Sequence, residues 1–319
     1  MTKELSDYIN KFSKLRRDTK KSRGSAPHKP TLLLSVIELI EEGKIRRNQI
    51  YLSPELIATF LKYWSNLVTT EHHSDIALPF FHLTGDKFWH LMPNPGFEAT
   101  ISSRTKIRGL TALKNVVKYA YLDEDLFEYL QDSTSRMQLV GILIESYFSA
   151  KAQEFEQLYK VDELENIQLR LFEQGGAVYN TTELKDQDQI FVRNAAFRRI
   201  VVSLYQQHCA FCKLKIVSQD NQNIVDGAHI KPFAEFHDDL FDNGIALCKN
   251  HHWAFDRGWF GINDDYKIMV LNDRFLEETP KGMRSLQDFD GEMILLPNQE
   301  TYKPRIDSLQ WHRSFWKIA

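Results

Sequence analysis

The sequence predicts a two-domain α+β protein: a mostly helical N-terminal domain that carries a β-hairpin, and a smaller C-terminal unit of two strands and a helix stapled by a metal ion. Three observations lead there. Apolar residues recur at helical spacing through the first half. Two apolar arms flank Thr84-Gly85-Asp86-Lys87. The only three cysteines of the 319-residue chain fall in the last third, as Cys209-x2-Cys212 and, after a gap of 35 residues, Cys248-x2-His251.

Taken in order, Leu5, Tyr8, Ile9, Phe12 and Leu15 mark a first helix. A basic stretch follows and ends at Pro27-His28-Lys29-Pro30, after which TLLLSVIELIEE reads as a largely buried helix stopped by Gly43. A short strand is expected near 49–52, and Ser53-Pro54 opens a helix to about Val68. LPFFHLTGDKFWHLMP (78–93) reads as the β-hairpin, and helices near 110–131 and 133–160 complete a domain over 1–160. The polar run 161–188, with Gly175-Gly176, is the expected linker to a domain over 189–319. That domain opens on FVRNAAFRRIVVSLYQQH as a helix and continues as strand, turn, strand and a short helix near 249–256. MILLP (293–297) and RIDSLQWHRSFWK follow as strand-like and helix-like segments.

Composition excludes several classes. With 43% hydrophobic and 26% charged residues the chain is neither disordered nor collagen-like nor a coiled coil. No apolar run is long enough to span a bilayer, and the polar start MTKELSDYINKFSKLRRD lacks the apolar core of a secretory signal, so a cytoplasmic location is expected. An odd cysteine count forms no closed disulfide framework. The net charge of −3 hides an asymmetry: residues 1–150 carry +3 and residues 151–319 carry −6, with eight basic residues against Asp18 alone between Lys11 and Lys29. Such a stretch suits phosphates, and it equally suits a solvated loop.

Cys209, Cys212, Cys248 and His251 offer three thiolates and an imidazole on two tight turns, the donor set of a closed structural Zn²⁺ site that holds a fold rather than doing chemistry. Between and after them lie Asp226-Gly-Ala-His229, Asn243-Gly244, His252 and Asp256. These types suit metal-assisted phosphodiester hydrolysis: a neutral histidine takes a proton from water, an amide orients it, and a divalent cation, Mg²⁺ or Mn²⁺, stabilises the charge that develops on the phosphate.

The segment CAFCKLKI…VDGAHIKPFAEFHDDLFDNGIALCKNHHWAFDRGWF resembles an HNH endonuclease domain, the ββα-metal fold, over roughly 190–275. The resemblance implies His229 as general base, Asn243 as its positioner and His252 as ligand of the catalytic divalent metal, with Asp256 as a second metal-side residue. Many HNH sequences carry a metal-binding Asp or His just before the base; here Ala228 stands there, and Asp226 is the substitute, on the opposite face of the strand unless a bulge intervenes. Adjacent His251 and His252 divide between zinc and the reaction metal.

HKPTLLLSVIELIEEGKI, followed by LPFFHLTGDKFWHL, resembles the sulfur-binding domain of phosphorothioate-dependent restriction endonucleases over about 25–130. That resemblance implies a shallow apolar cavity formed by the methylenes of Lys29 with Leu78, Pro79 and His82, and with His28 near the phosphate. The family often has an aromatic residue where Leu78 stands and a small one where His82 stands. Sulfur is larger and less strongly hydrated than oxygen, so an apolar pocket loses less in desolvating it. Arg16, Arg17, Lys20, Arg23, Arg104, Lys106 and Arg108 are the expected phosphate contacts.

The expected function is therefore a type IV-like, modification-dependent endonuclease acting on phosphorothioated double-stranded DNA, not on a membrane. One HNH site cuts one strand, which points to a homodimer. Two other readings stay open at this stage: an HNH enzyme reading methylated or hydroxymethylated bases through an aromatic cage of Tyr63, Trp64 or Trp89, and a zinc-stapled DNA-binding protein without turnover. If His229 acts as a neutral base, acidification that protonates it slows the reaction.

Overall fold

The computed structural model describes residues 3–20, 22–102, 107, 109–180, 186–219 and 222–318. They group into two units, one of residues 3–164 and 186–192, the other of 165–180 and 193–318. Arg104, Lys106 and Arg108 lie outside the described residues. Among the described residues no helix is long and apolar enough to cross a membrane.

The first unit is built around helix His28–Glu41, whose side chains are buried on nearly every face. Pro30 is tolerated because it sits in the first turn, where its missing N–H has no intrahelical partner to lose. Helices Pro54–Leu67, Ala77–His82, Glu124–Gln131 and Ser133–Tyr147 pack against it. The Ser53 hydroxyl caps the first of these by accepting from Leu56 N at 3.2 Å. Inside the unit a fully buried ion pair, Lys62 Nζ to Glu38 Oε1 at 2.6 Å, has every remaining donor directed at an acceptor: Lys62 also donates to the carbonyls of Leu158 and Val161 at 3.0 Å.

The expected hairpin over 78–93 is not formed. Residues Ala77–His82 are helical and Leu83–Asp86 continue as a 3-10 turn, closed by Lys87 in the left-handed region (φ 61°). Pro79 falls in the first turn of that helix, and the Asp75 carboxylate accepts from Ala77 N at 3.0 Å, which starts it. A short apolar run fits a buried helix as well as a strand. Only Trp89–Pro93 is extended, and it pairs antiparallel with Val117–Leu122 far along the chain, with a register shift at Met92/Pro93. That partner strand breaks the helix expected over 110–131 into Leu110–Val116 and Glu124–Gln131, and the one expected over 133–160 ends at Tyr147 and resumes as Ala152–Leu158. The strand expected near 49–52 reduces to one bridge, Ile50 to Ala120.

From Arg193 onward helix Gln187–Leu204 belongs to the second unit, where it runs onto an antiparallel pair, Val225–His229 with Gly244–Cys248, whose register is regular from Val225↔Cys248 to His229↔Gly244. Helix Lys249–Phe255 packs on the same pair, giving strand, strand, helix in order. Within the stretch expected as a linker, Glu163–Glu173 is a helix and Val178 bridges to Asp238. The tail after 275 completes this core: Leu295 N donates to Ala210 O at 2.8 Å, and helix Ile306–Trp316 packs on strand Phe260–Ile262. Its His312 stacks on Phe255 with ring centres 3.8 Å apart and donates from Nε2 to the Phe255 carbonyl at 3.0 Å.

His312 Nδ1, where protonation would have to occur, is buried without a hydrogen-bond partner among the described residues. Burial pushes the imidazole down to about 4, with the Arg313 charge adding to the effect and the Phe255 hydrogen bond opposing it. An unfolded histidine accepts its proton at a higher pH, so this contribution is complete above the unfolded value and is lost as pH falls from there toward about 4. His312→Phe removes the proton site and keeps the stack. By urea denaturation, the native chain is expected to lose about 2 kcal/mol more stability than the variant between about pH 7 and about pH 5.

Candidate active site and DNA-binding cavity

The sequence signals converge on four places, one in the first unit and three in the second. In the first unit, Arg16, Arg17, His28, Lys29, Leu78, Pro79 and His82 line a single cavity of about 400 Å³, together with Asp18, Ala26 and His72. The basic stretch reaches it because Thr19–Lys20 and Gly24–Ser25 form a tight antiparallel pair and Ala26 N donates to Asp18 O at 2.8 Å, which folds that stretch back. Arg23 is exposed. Arg17 lies over the Tyr147 ring at 4.4 Å. His28 is held by a hydrogen bond from Nε2 to the His73 carbonyl at 3.0 Å and by Trp64, with ring centres 4.5 Å apart. Burial pushes it down to about 4, so it enters the cavity as a neutral imidazole and not as a cation. Lys29 Nζ pairs with Asp86 Oδ2 at 2.6 Å, and Arg16 N donates to Asp86 Oδ1 at 2.9 Å. In the sequence Asp86 looks like no more than a turn residue. Tyr63 and Trp89, candidates for a base-stacking cage, are core residues: Tyr63 donates to Glu38 and Trp89 Nε1 donates to Phe80 O at 2.8 Å.

In the second unit Cys209, Cys212, Cys248 and His251 place their ligand atoms within 4.8 Å of one another. His251 Nδ1 lies 3.7 Å from Cys209 Sγ and 3.0 Å from Cys248 Sγ. A tetrahedral ion with bonds of about 2.3 Å to sulfur and about 2.0 Å to nitrogen needs edges of about 3.5 Å, so the set fits such an ion. The His251 ring stacks on Phe211 at 4.1 Å, which fixes its orientation.

The second group surrounds His229. Its Nε2 lies 2.8 Å from Asp239 Oδ1, its ring stacks almost parallel (7°) on Phe197 at 4.0 Å, and its side chain is 8% exposed. Asp239 is wholly buried, and its Oδ2 has no hydrogen-bond partner among the described residues. Asn243, also wholly buried, has its amide engaged elsewhere than on the ring. Its Oδ1 accepts from Lys231 N at 3.0 Å and its Nδ2 donates to the carbonyls of Lys231 and Asp238 at 3.1 Å, so the amide clamps the loop that carries Asp239. Sequence reasoning misses Asp239 and Phe197. The run His-Asp-Asp ahead of Asn243 is the available signal for Asp239; a phenylalanine on a helix gives none.

The third group surrounds His252. Asp226 Oδ2 lies 3.6 Å from its Nδ1, and Asp256 Oδ2 lies 3.5 Å from its Nε2. The two carboxylates therefore sit on opposite ring nitrogens, and one ion takes a single nitrogen of an imidazole. Asp226 also binds Arg198 Nη1 at 2.7 Å and Lys249 Nζ at 3.2 Å. Burial works against its ionisation, but the His252 hydrogen bond and these two cations outweigh it and hold the carboxyl well below the usual range. Because the strand ladder has no bulge, Asp226 and His229 face opposite sides of the strand. No hydrogen bond or ion pair among the described residues joins the His229 group to the His252 group.

Residues 209–263 match the family model described as HNH endonuclease, and residues 5–159 match the ScoMcrA-like DNA sulfur-binding domain. The chain joins a DNA sulfur-binding domain to an HNH endonuclease domain. Among solved structures, the modification-dependent restriction endonuclease TagI is 26% identical over 39% of this chain and 38% of its own, with a TM-score of 0.28. The sulfur-binding domain of ScoMcrA complexed with phosphorothioated DNA is 22% identical over 47% of this chain and 93% of that one, TM-score 0.35. The type IV phosphorothioation-dependent restriction endonuclease ScoMcrA is 12% identical over 77% and 81%, TM-score 0.34. The curated proteins contain no match. The identification rests on the two family models.

Asp239 occupies His229 Nε2 and so leaves Nδ1 as the ring nitrogen open to another partner. Asp239→Asn is expected to lower single-turnover cleavage by about 10²- to 10⁴-fold with DNA binding unchanged. A loss of less than about threefold would remove Asp239 from the machinery.

Proposed function

We propose that the chain is a modification-dependent restriction endonuclease that binds phosphorothioated duplex DNA in the cavity of its sulfur-binding domain and hydrolyses a nearby phosphodiester in its HNH domain. The observation that carries this reading is the gathering of Arg16, Arg17, His28, Lys29, Leu78, Pro79 and His82 around one cavity of about 400 Å³, so that basic and apolar side chains share its lining. The match of residues 5–159 to the DNA sulfur-binding domain family supports the same assignment.

In the HNH domain His229, oriented by Asp239 and Phe197, accepts the proton of the attacking water at Nδ1. Asn243 keeps the loop of Asp239 in place. The donor pair His252 Nε2 and Asp256, 3.5 Å apart with the carboxylate half-exposed, suits Mg²⁺ or Mn²⁺, which keep most of their shell for water and phosphate oxygens. Such an ion, when bound, neutralises the charge that develops on the phosphate and leaving oxygen. Asp226, engaged by Arg198 and Lys249, fixes the other edge of the His252 ring. Zn²⁺ in the three-cysteine, one-histidine site holds the turns that flank the two strands. A break in both strands requires two HNH sites, supplied by two chains on the DNA.

The test is one plasmid in unmodified, cytosine-methylated and phosphorothioated forms, each with Mg²⁺, with Mn²⁺ and with chelator. Cutting confined to the phosphorothioated form and abolished by chelator is expected. Cutting of methylated DNA alone would reassign the reader and keep the nuclease. Cys248→Ser, which removes one zinc ligand, is expected to release the metal and to unfold the second unit at a lower temperature, seen as zinc content by mass spectrometry and as a lowered Tm.

A further inference from the structure

The cavity poses a problem of charge. A phosphorothioate diester carries one negative charge, as an ordinary phosphate diester does, and the two differ in one atom. An ammonium group facing that atom would attract both, and it would attract oxygen more, because oxygen is the smaller and stronger hydrogen-bond acceptor. Selection for sulfur therefore requires a cavity that keeps strong donors away from the variable atom while cations hold the rest of the backbone.

Lys29 lines the cavity, yet its ammonium is bound by Asp86, which is not among the lining residues. The pair is close, 2.6 Å, and well covered, with the side chains 11% and 5% exposed. Asp86 is fixed in turn by Arg16 N, which donates to its second oxygen at 2.9 Å, and by its place at the end of the 3-10 turn Leu83–Asp86. The carboxylate thus draws the cationic head of Lys29 aside and leaves the methylenes to the cavity. Arg16 and Arg17 remain as guanidinium groups among its lining residues.

We infer that Asp86 is a specificity-determining residue: by sequestering the Lys29 ammonium it makes the cavity discriminate a phosphorothioate from a phosphate. The inference rests on the proposed reading of the cavity. Without the carboxylate, the ammonium turns to the ligand and gains a charged hydrogen bond that oxygen satisfies better than sulfur, so discrimination falls through tighter binding of unmodified DNA.

The experiment measures binding of the full chain to a short duplex with one phosphorothioate linkage and to its all-phosphate twin, in a His229→Ala background that leaves the duplex intact. The variants are Asp86→Asn, which keeps an acceptor for Arg16 N, and Asp86→Asn with Lys29→Met, which removes both charges and keeps the apolar stem. For Asp86→Asn the affinity ratio is expected to fall about tenfold, the low end of what a charged hydrogen bond contributes. On the unmodified duplex the slope of log K against log salt is expected to steepen by about 0.9, one added phosphate contact. The double variant is expected to regain the ratio. If native protein prefers the phosphorothioate and Asp86→Asn keeps the full ratio, or weakens both duplexes equally, the inference is overturned and the reading of the cavity stands. A double variant that stays unselective also overturns it. Native protein that binds both duplexes alike overturns the reading of the cavity and the inference with it.

Discussion

The second unit depends on how closely helix Gln187–Leu204 approaches the two-stranded pair. A Cβ at Gly227 would lie 2.6 Å from the Arg198 carbonyl oxygen, nearer than any side chain is tolerated, so the strand meets helix backbone directly. Gly244, across from His229 in the ladder, is covered in the same way by Val201 and Phe197. That proximity lets Phe197 stack on His229 at 4.0 Å while its neighbour Arg198 reaches Asp226 at 2.7 Å. One turn of helix thus supports His229 on one side of the strand and the carboxylate beside His252 on the other. The rest of the site follows: Asn243 ties the intervening loop, the loop supplies Asp239, and the tail covers the helix that carries His252.

Much of this was legible in the residues, and the reasons for the remainder are physical. The cysteine and histidine pairs announced one cluster because a metal demands fixed donors at fixed spacing, and the four residues do converge. Helix His28–Glu41 was legible from the apolar run TLLLSVIELIEE after Pro30 and before Gly43, and its first turn begins earlier, at His28. The run 78–93 was not, because a short apolar run fits a buried helix and a strand alike; the choice is made by Pro79 in a first turn and by a strand partner at 117–122 that no local pattern reveals. Asp239 and Asp86 were invisible for a related cause. Each gains its role from a partner brought near by folding, His229 in one case and Lys29 in the other, and an acidic residue in a loop carries no mark of that.

Three inward-turned carboxylates give the two units a common logic. Asp86 pairs with the ammonium of Lys29, a residue that lines the cavity proposed to select a soft atom. Asp239, wholly buried, holds the His229 ring through Nε2. Asp226 fixes an imidazole between two basic side chains. In each case the fold bears the desolvation of a carboxyl group, and the return is a fixed position for a neighbouring basic or imidazole side chain. The buried neutral histidines His28 and His312 show the converse, imidazoles held uncharged by burial so that they act through hydrogen bonds and stacking.

The central claim is that one chain both reads sulfur and cuts. It is tested most directly by mapping, at nucleotide resolution, the cuts made in a linear duplex with a single phosphorothioate whose position is moved from one substrate to the next. Cuts that travel with the sulfur, and that vanish with His229→Ala, are the predicted result. Cuts that stay at the same nucleotides wherever the sulfur is placed, or that appear equally in the all-phosphate duplex, would contradict it.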